Sequence, residues 1–323
     1  MEPSHCKKII AQDIPYKTGR EIYDMLINCL LPKINSVIDL EKYLEILTMM
    51  CSNIRELYGT QESITFYQKI VNKVTTAFPT YQDNKHWAWL IISYCNLLYE
   101  QGQYDEAIST MNNLLYYWPE KDITSDNVII YGYLYNRLHV YNRALEYQVT
   151  CKSLGWLEKS ERLVMINDEP ELLFLNFIDR GYCAYDCLSS KPKIVRYWGE
   201  ACKIYEKNNL ITKKPNYYYA KICIELLNYK LKEARITIME AIRIIETKEE
   251  GTYYYTYFKQ RYLFCLITSF LLDSIENKKQ IEDYFSQVEK LNYIQNKKMG
   301  YSIHWLKSIF YFLTKQYQDS IIN

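Results

Sequence analysis

Apolar residues along this chain recur at spacings of three and four, which places them in one stripe along an α-helix. The clearest stretch is His86–Glu120, HWAWLIISYCNLLYEQGQYDEAISTMNNLLYYWPE. It predicts two helices with a tight break. The first carries Trp89, Ile92, Leu97 and Leu98, with Tyr94 and Cys95 on the same side, and the break is Gln101-Gly102-Gln103. The second starts near Tyr104 and keeps Ala107, Ile108, Met111, Leu114 and Leu115 on one face. Pro119 stops it, since proline cannot continue the hydrogen-bond ladder.

The same reading predicts helices along the rest of the chain. One covers about Arg20–Leu31 and ends before Pro32. Asp39 is placed to cap the next, which runs through Tyr43, Ile46, Leu47, Met50, Ile54 and Leu57 until Gly59 breaks it. A partner follows with Ile64, Tyr67, Ile70, Val71 and Val74 and ends at Pro79. Val128–Arg137 and Tyr141–Leu154 form a pair, and residues 152–170 then interrupt the rhythm as a short insertion or an extra helix. Leu172–Leu188 is followed by a helix that Pro192 opens and that runs through Tyr205; a proline fits a first helical turn because its missing amide hydrogen is not needed there. Pro215–Asn228 pairs with Leu231–Glu246, and Thr252–Ile275 with Gln280–Leu291. Tyr301–Thr314 precedes Tyr317–Asn323, a second helix cut short. No segment alternates with period two for long enough to make a strand. The expectation is an all-α protein, with an N-terminal helical region over 1–80 and a helical repeat array over 81–323 that carries an insertion near 152–170.

Units recurring at 33–57 residues indicate a stacked helical array. Two neighbouring units resemble the tetratricopeptide repeat family. The first supplies Gly102, Tyr104 and Ala107 in a Gly-x-Tyr-x-x-Ala turn and then Pro119; the second supplies Gly132, Tyr135, Tyr141 and Ala144. A weaker third has Leu231, Ala234 and Ala241, and the terminal unit has Tyr317 with Ser320 in the alanine place. Small residues such as Ala107, Ala144 and Ala234 let paired helices approach closely. The pattern departs from the family at Cys95, where Gly or Ala is usual. The spacing is also irregular, with 37 residues from Ala107 to Ala144 and 57 from Ala144 to Ala201. The resemblance covers about 88–155 and is looser elsewhere. It implies a right-handed α-solenoid of irregular TPR-like helix-turn-helix repeats whose first helices line a groove for a protein or peptide segment.

Carried onto this chain, the resemblance assigns Trp89, Asn96 and Tyr99 from the first unit, Tyr133, Asn136 and Arg137 from the second, and Tyr219 from the third as candidate peptide-contacting residues. An Asn side chain carries both a donor and an acceptor and can pair with a peptide backbone. Arg137 can hold a carboxylate in a forked pair. The aromatics offer flat contact area at low entropic cost. Each has a structural alternative: the Asn side chains are solvated, Arg137 pairs with a nearby acid, and the aromatics form inter-repeat core. Ile92 stands where chaperone-tail-binding members carry a lysine, so that carboxylate clamp is not implied.

Charge and motifs narrow the function further. Net charge is +1 and no basic stripe is present, which argues against nucleic acid as a partner. The pairs Lys213-Lys214, Lys278-Lys279 and Lys297-Lys298 read as solvated turns. The longest mostly apolar run, Tyr262–Leu272, is short of the roughly 20 residues that span a bilayer. Ten cysteines are scattered without a C-x-x-C, no signal-type stretch opens the chain and no N-x-S/T sequon occurs, which together predict a reducing, cytoplasmic setting. No Gly-rich phosphate loop or G-x-S-x-G elbow is present. His5, His86, His139 and His304 lie far apart, and Cys183 with Cys187 reads as core rather than half a metal site. The expected function is a non-enzymatic protein- or peptide-binding scaffold without metal or cofactor, with a possible homodimer through the unfinished C-terminal repeat. Alternatives are a peptide-sensing bacterial regulator, or a sensor or scaffold subunit of an assembly whose catalytic part is on another chain.

Overall fold

A computed structural model of the chain describes residues 31–146, 148–210, 213–246, 261–268, 278–289 and 297–313, with a few isolated positions besides. All regular structure among the described residues is helical. Most of the helix expected at Arg20–Leu31, and the whole of Tyr317–Asn323, lie outside them, and with the latter the expected dimer contact. The chain divides into two compact units, Met1–Asp179 and Arg180–Asn323.

The first unit begins with α1, Val37–Ala77. Ser36 caps it, its hydroxyl oxygen accepting the Asp39 amide at 3.2 Å, so Asp39 sits inside the first turn and is not the cap. Gly59 does not break this helix, which runs unbroken through it for 41 residues. A glycine within a helix costs only about 1 kcal/mol, less than the burial of Ile64, Tyr67, Ile70 and Val74 in the second half recovers. Phe78 ends α1 ahead of Pro79.

Helix α2, Lys85–Glu100, is capped by Asn84, whose side-chain oxygen accepts the His86 amide at 2.8 Å. It is buried on two sides, since Trp87, Ile91 and Tyr94 are as covered as Leu90, Leu97 and Leu98. It packs on α1 and on α3, Tyr104–Tyr117, across the position 80 at which the sequence reading divided the chain. Gly102 turns the chain between them at φ +77°, a backbone state open to glycine. Ala107, Ile108, Met111 and Leu114 form the buried stripe of α3.

Two sequence expectations change at the next pair. Val128–Glu146 is one helix, α4, with no break between Arg137 and Tyr141. Its partner is α5, Cys151–Asn167, so residues 152–170 hold the extra helix and not an insertion. Thr150 and Ser153 form a reciprocal capping box that starts α5, and Asp168 ends it in the left-handed conformation at φ 45°. Helix α6, Pro170–Asp186, begins in the first unit and ends in the second.

In the second unit follow α7, Lys191–Asn208, α8, Lys214–Leu227, and α9, Leu231–Glu246. Residues 261–268 are helical, the rest of the helix expected over Thr252–Ile275 lies almost wholly outside the described residues, and α10, Lys278–Glu289, and α11, Lys297–Leu313, follow. Leu263, Leu266, Ile281, Phe285, Ile303 and Phe310 form one core among these last helices. Lys278 and Lys297 open helices and do not lie in loops.

Helix pairs begin at Lys85, Val128, Pro170 and Lys214, so a new pair starts every 42–44 residues. The irregular 37 and 57 arose from comparing positions that are not equivalent. Ala107 and Ala201 lie on second helices and are fully buried, whereas Ala144 lies on the first helix of its pair.

Candidate functional site

Six of the seven predicted contact residues stand on the first helices α2 and α4, and the structure joins these helices through them. The Trp89 ring meets Tyr133 edge-on at 5.2 Å between centroids. Tyr133 donates its hydroxyl hydrogen to Glu171 Oε1 on α6 at 2.7 Å. Tyr99 stacks on Tyr141 at 5.2 Å, and Tyr141 donates to Asn96 Oδ1 at 2.7 Å. The aromatic residues therefore form inter-helix packing, the structural alternative weighed for them. Burial is the main cause that pushes the Tyr133 and Tyr141 hydroxyls well above the ordinary phenol range; Glu171 adds to the effect at Tyr133.

Asn136 is wholly buried. Its amide nitrogen donates to Asn176 Oδ1 at 3.0 Å and to Asp179 Oδ2 at 2.7 Å. Ser160 Oγ lies 2.8 Å from the Gly132 carbonyl oxygen and 3.1 Å from Asn176 Oδ1. This network ties α4 to α5 and α6 and removes Asn136 from any surface a ligand can reach. Asn96 remains half-buried with its oxygen engaged by Tyr141. Tyr219 of α8 is also buried, against Tyr182 at 4.9 Å and Trp198 at 6.3 Å, inside the second unit.

Arg137 differs from the other six. It stands one turn from Tyr133 and one turn from Tyr141 on α4, and its positive charge favours the ionised form of both. It makes no ion pair among the described residues, and its Nε is covered by protein with no hydrogen-bond acceptor. A guanidinium so placed is short of an acceptor, and burying such a donor unpaired costs about 1–3 kcal/mol. An incoming carboxylate or phosphate oxygen would supply it.

The opposite side of α2 holds a feature that the sequence reading missed. A cleft of about 410 Å³ lies between α1, α2 and α3. Each helix contributes residues at i, i+4 and i+7: Gln68, Asn72 and Thr75 from α1; Trp87, Ile91 and Tyr94 from α2; Glu106, Thr110 and Asn113 from α3. The signal in the sequence was a helix face of amides and hydroxyls where charged residues usually stand. It carried no meaning until the three helices were brought together.

Among the described residues no cluster of His, Cys, Asp and Glu could hold a metal ion. Cys183 is buried and Cys187 is exposed, so the pair does not share a core. His139 is buried with Nδ1 at 2.7 Å from the Ser153 carbonyl oxygen, a structural contact between α4 and α5. No helix of the described residues is long and apolar enough to cross a membrane. No protein-family model and no curated protein matches this chain.

Proposed function

We propose that this chain is a non-enzymatic scaffold that binds a protein or peptide segment carrying a carboxylate, on the face where α2 meets α4. The observation that carries the reading is Arg137, a half-buried guanidinium without an acidic partner, framed by Tyr133 and Tyr141. Recurring helix pairs support it, because stacked pairs make long surfaces suited to chain segments. Trp89, Tyr133 and Tyr99 hold the two helices at a set distance. Asn96 keeps its amide nitrogen for a ligand, while its oxygen fixes Tyr141.

Native mass spectrometry of the protein purified from its own cells tests this. The expected result is a bound peptide or a stoichiometric protein partner that is lost from the Arg137→Gln variant and only partly kept by Arg137→Lys, which retains charge but not the fork. A clean chain with nothing bound, or a partner indifferent to Arg137, would sink the reading.

A further inference from the structure

The cleft between α1, α2 and α3 lies on the other side of α2 from Arg137, and its chemistry is different. Its floor is apolar: Trp87, Ile91 and Leu114 are buried there. Its walls are neutral and polar. Asn72 and Asn113 line it from α1 and α3, and neither carboxamide has a hydrogen-bond partner among the described residues. Gln68 hydrogen-bonds the Tyr94 hydroxyl, which lies 3.2 Å from Glu106 Oε1. The cleft thus holds one carboxylate, Glu106, and no cationic side chain.

These features select a ligand. Free carboxamides offer one donor and one acceptor each, which matches a peptide unit. A helix satisfies its own backbone groups except at its ends, so only an extended segment presents peptide units to the walls. A lone carboxylate at the rim selects a cation. The volume falls within the roughly 300–1,000 Å³ typical of ligand clefts.

We propose that this cleft binds an extended polypeptide segment through its backbone, with Asn72 and Asn113 pairing to peptide groups and one lysine or arginine side chain of the segment directed to Glu106. The site is separate from the Arg137 face and stands or falls independently of it. Tyr94 acts as a positioning residue, because its hydroxyl links Gln68 and Glu106 across the floor.

The test uses the full chain and a phage-displayed library of random linear decapeptides. The expected result is enrichment of peptides with a fixed lysine or arginine. A synthetic peptide of the enriched sequence should bind Glu106→Gln at least tenfold more weakly than wild type. Its analogue with norleucine in the basic position should bind both proteins equally. Asn72→Leu and Asn113→Leu should weaken both peptides. All three substituted residues are exposed, so the fold should persist, and an unchanged circular dichroism melt checks this. Absence of enrichment, or peptides indifferent to Glu106 and Asn113, would overturn the proposal. Peptides that depend on Arg137 alone would overturn it too, while supporting the other face.

Discussion

Tyr141 on α4 donates a hydrogen bond to Asn96 on α2 at 2.7 Å, across 45 residues of chain. Tyr141 has no exposed surface, so its hydroxyl has no water to turn to, and its ring is stacked on Tyr99. One residue thereby fixes both the distance and the register of two first helices.

Tyr141→Phe keeps the stacked ring and removes the donor. It should lower stability in urea by about 1–2 kcal/mol, with the slope of the denaturant dependence unchanged. Tyr141→Ala should cost more, about 3–5 kcal/mol, because the ring is lost as well. Equal effects of the two variants would show that the hydroxyl, and not the ring, carries the contact.

Asn136→Leu strips the buried Asp179 carboxylate of the amide that Asn136 donates at 2.7 Å. A buried acceptor left without its donor is expensive, and the loss should be about 1–3 kcal/mol. Asp179→Asn should cost much less, since its side-chain oxygen can still accept from Asn136. Chemical unfolding of the two variants decides whether the network is structural.

Gly181 on α6 sits where an added methyl would strike the Trp198 indole, which is fully buried. Gly181→Ala should therefore destabilise by about 1–3 kcal/mol. Gly199, on the same helix as Trp198, has open space around the equivalent position, so Gly199→Ala should raise the melting temperature through helix propensity alone. Opposite signs in thermal melts are the expected outcome.

Glu225 on α8 accepts from the Thr237 hydroxyl at 3.0 Å through Oε1, while its Oε2 is covered and unpartnered. Burial is the main cause that raises its pKa above the ordinary 4.5. The folded state therefore binds this proton more tightly than the unfolded chain. Stability from this group is full below pH 4.5 and falls as pH rises toward the raised value, then stays at the lower level. Glu225→Gln should melt higher than wild type at pH 7 and no higher at pH 4. A variant that melts lower at pH 7 would show that the carboxylate is needed in its charged form.

The helices themselves were legible in the order of residues. Ala107, Ile108, Met111 and Leu114 mark the buried face of α3, and each lies in the core. The pairing of helices was less legible. Gly59 read as a break and is not one, whereas Gly102 read as a break and is. The difference is local and tertiary together. Gly102 is followed within the turn by a chain that can fold back onto α2, while Gly59 lies in a helix whose second half is packed against α2. Within the first unit α4 was divided although no glycine or proline separates Arg137 from Tyr141; the start signal that matters, Thr150 with Ser153, is a hydroxyl cap and lies further on.

The candidate site divides in the same way. The resemblance to a repeat pattern marked Trp89, Asn96, Tyr99, Tyr133, Asn136, Arg137 and Tyr219, but neither the pattern nor residue type says whether a polar atom finds its partner in the protein or outside it. Asn136 and Arg137 are neighbours in sequence and differ by 100° around α4. That rotation turns Asn136 toward Asn176 and Asp179, and leaves Arg137 without an acid. The cleft of Gln68, Asn72, Glu106 and Asn113 shows the reverse case, unremarkable residues given meaning by three helices that meet. The sequence by itself determined an all-helical chain, because periodicity of apolar residues is a property of each segment alone. Which helices pair, which polar groups are satisfied and where a cleft opens depend on contacts between segments far apart in sequence, 40–45 residues for the Asn136 and Tyr141 hydrogen bonds, and only the tertiary structure decided those.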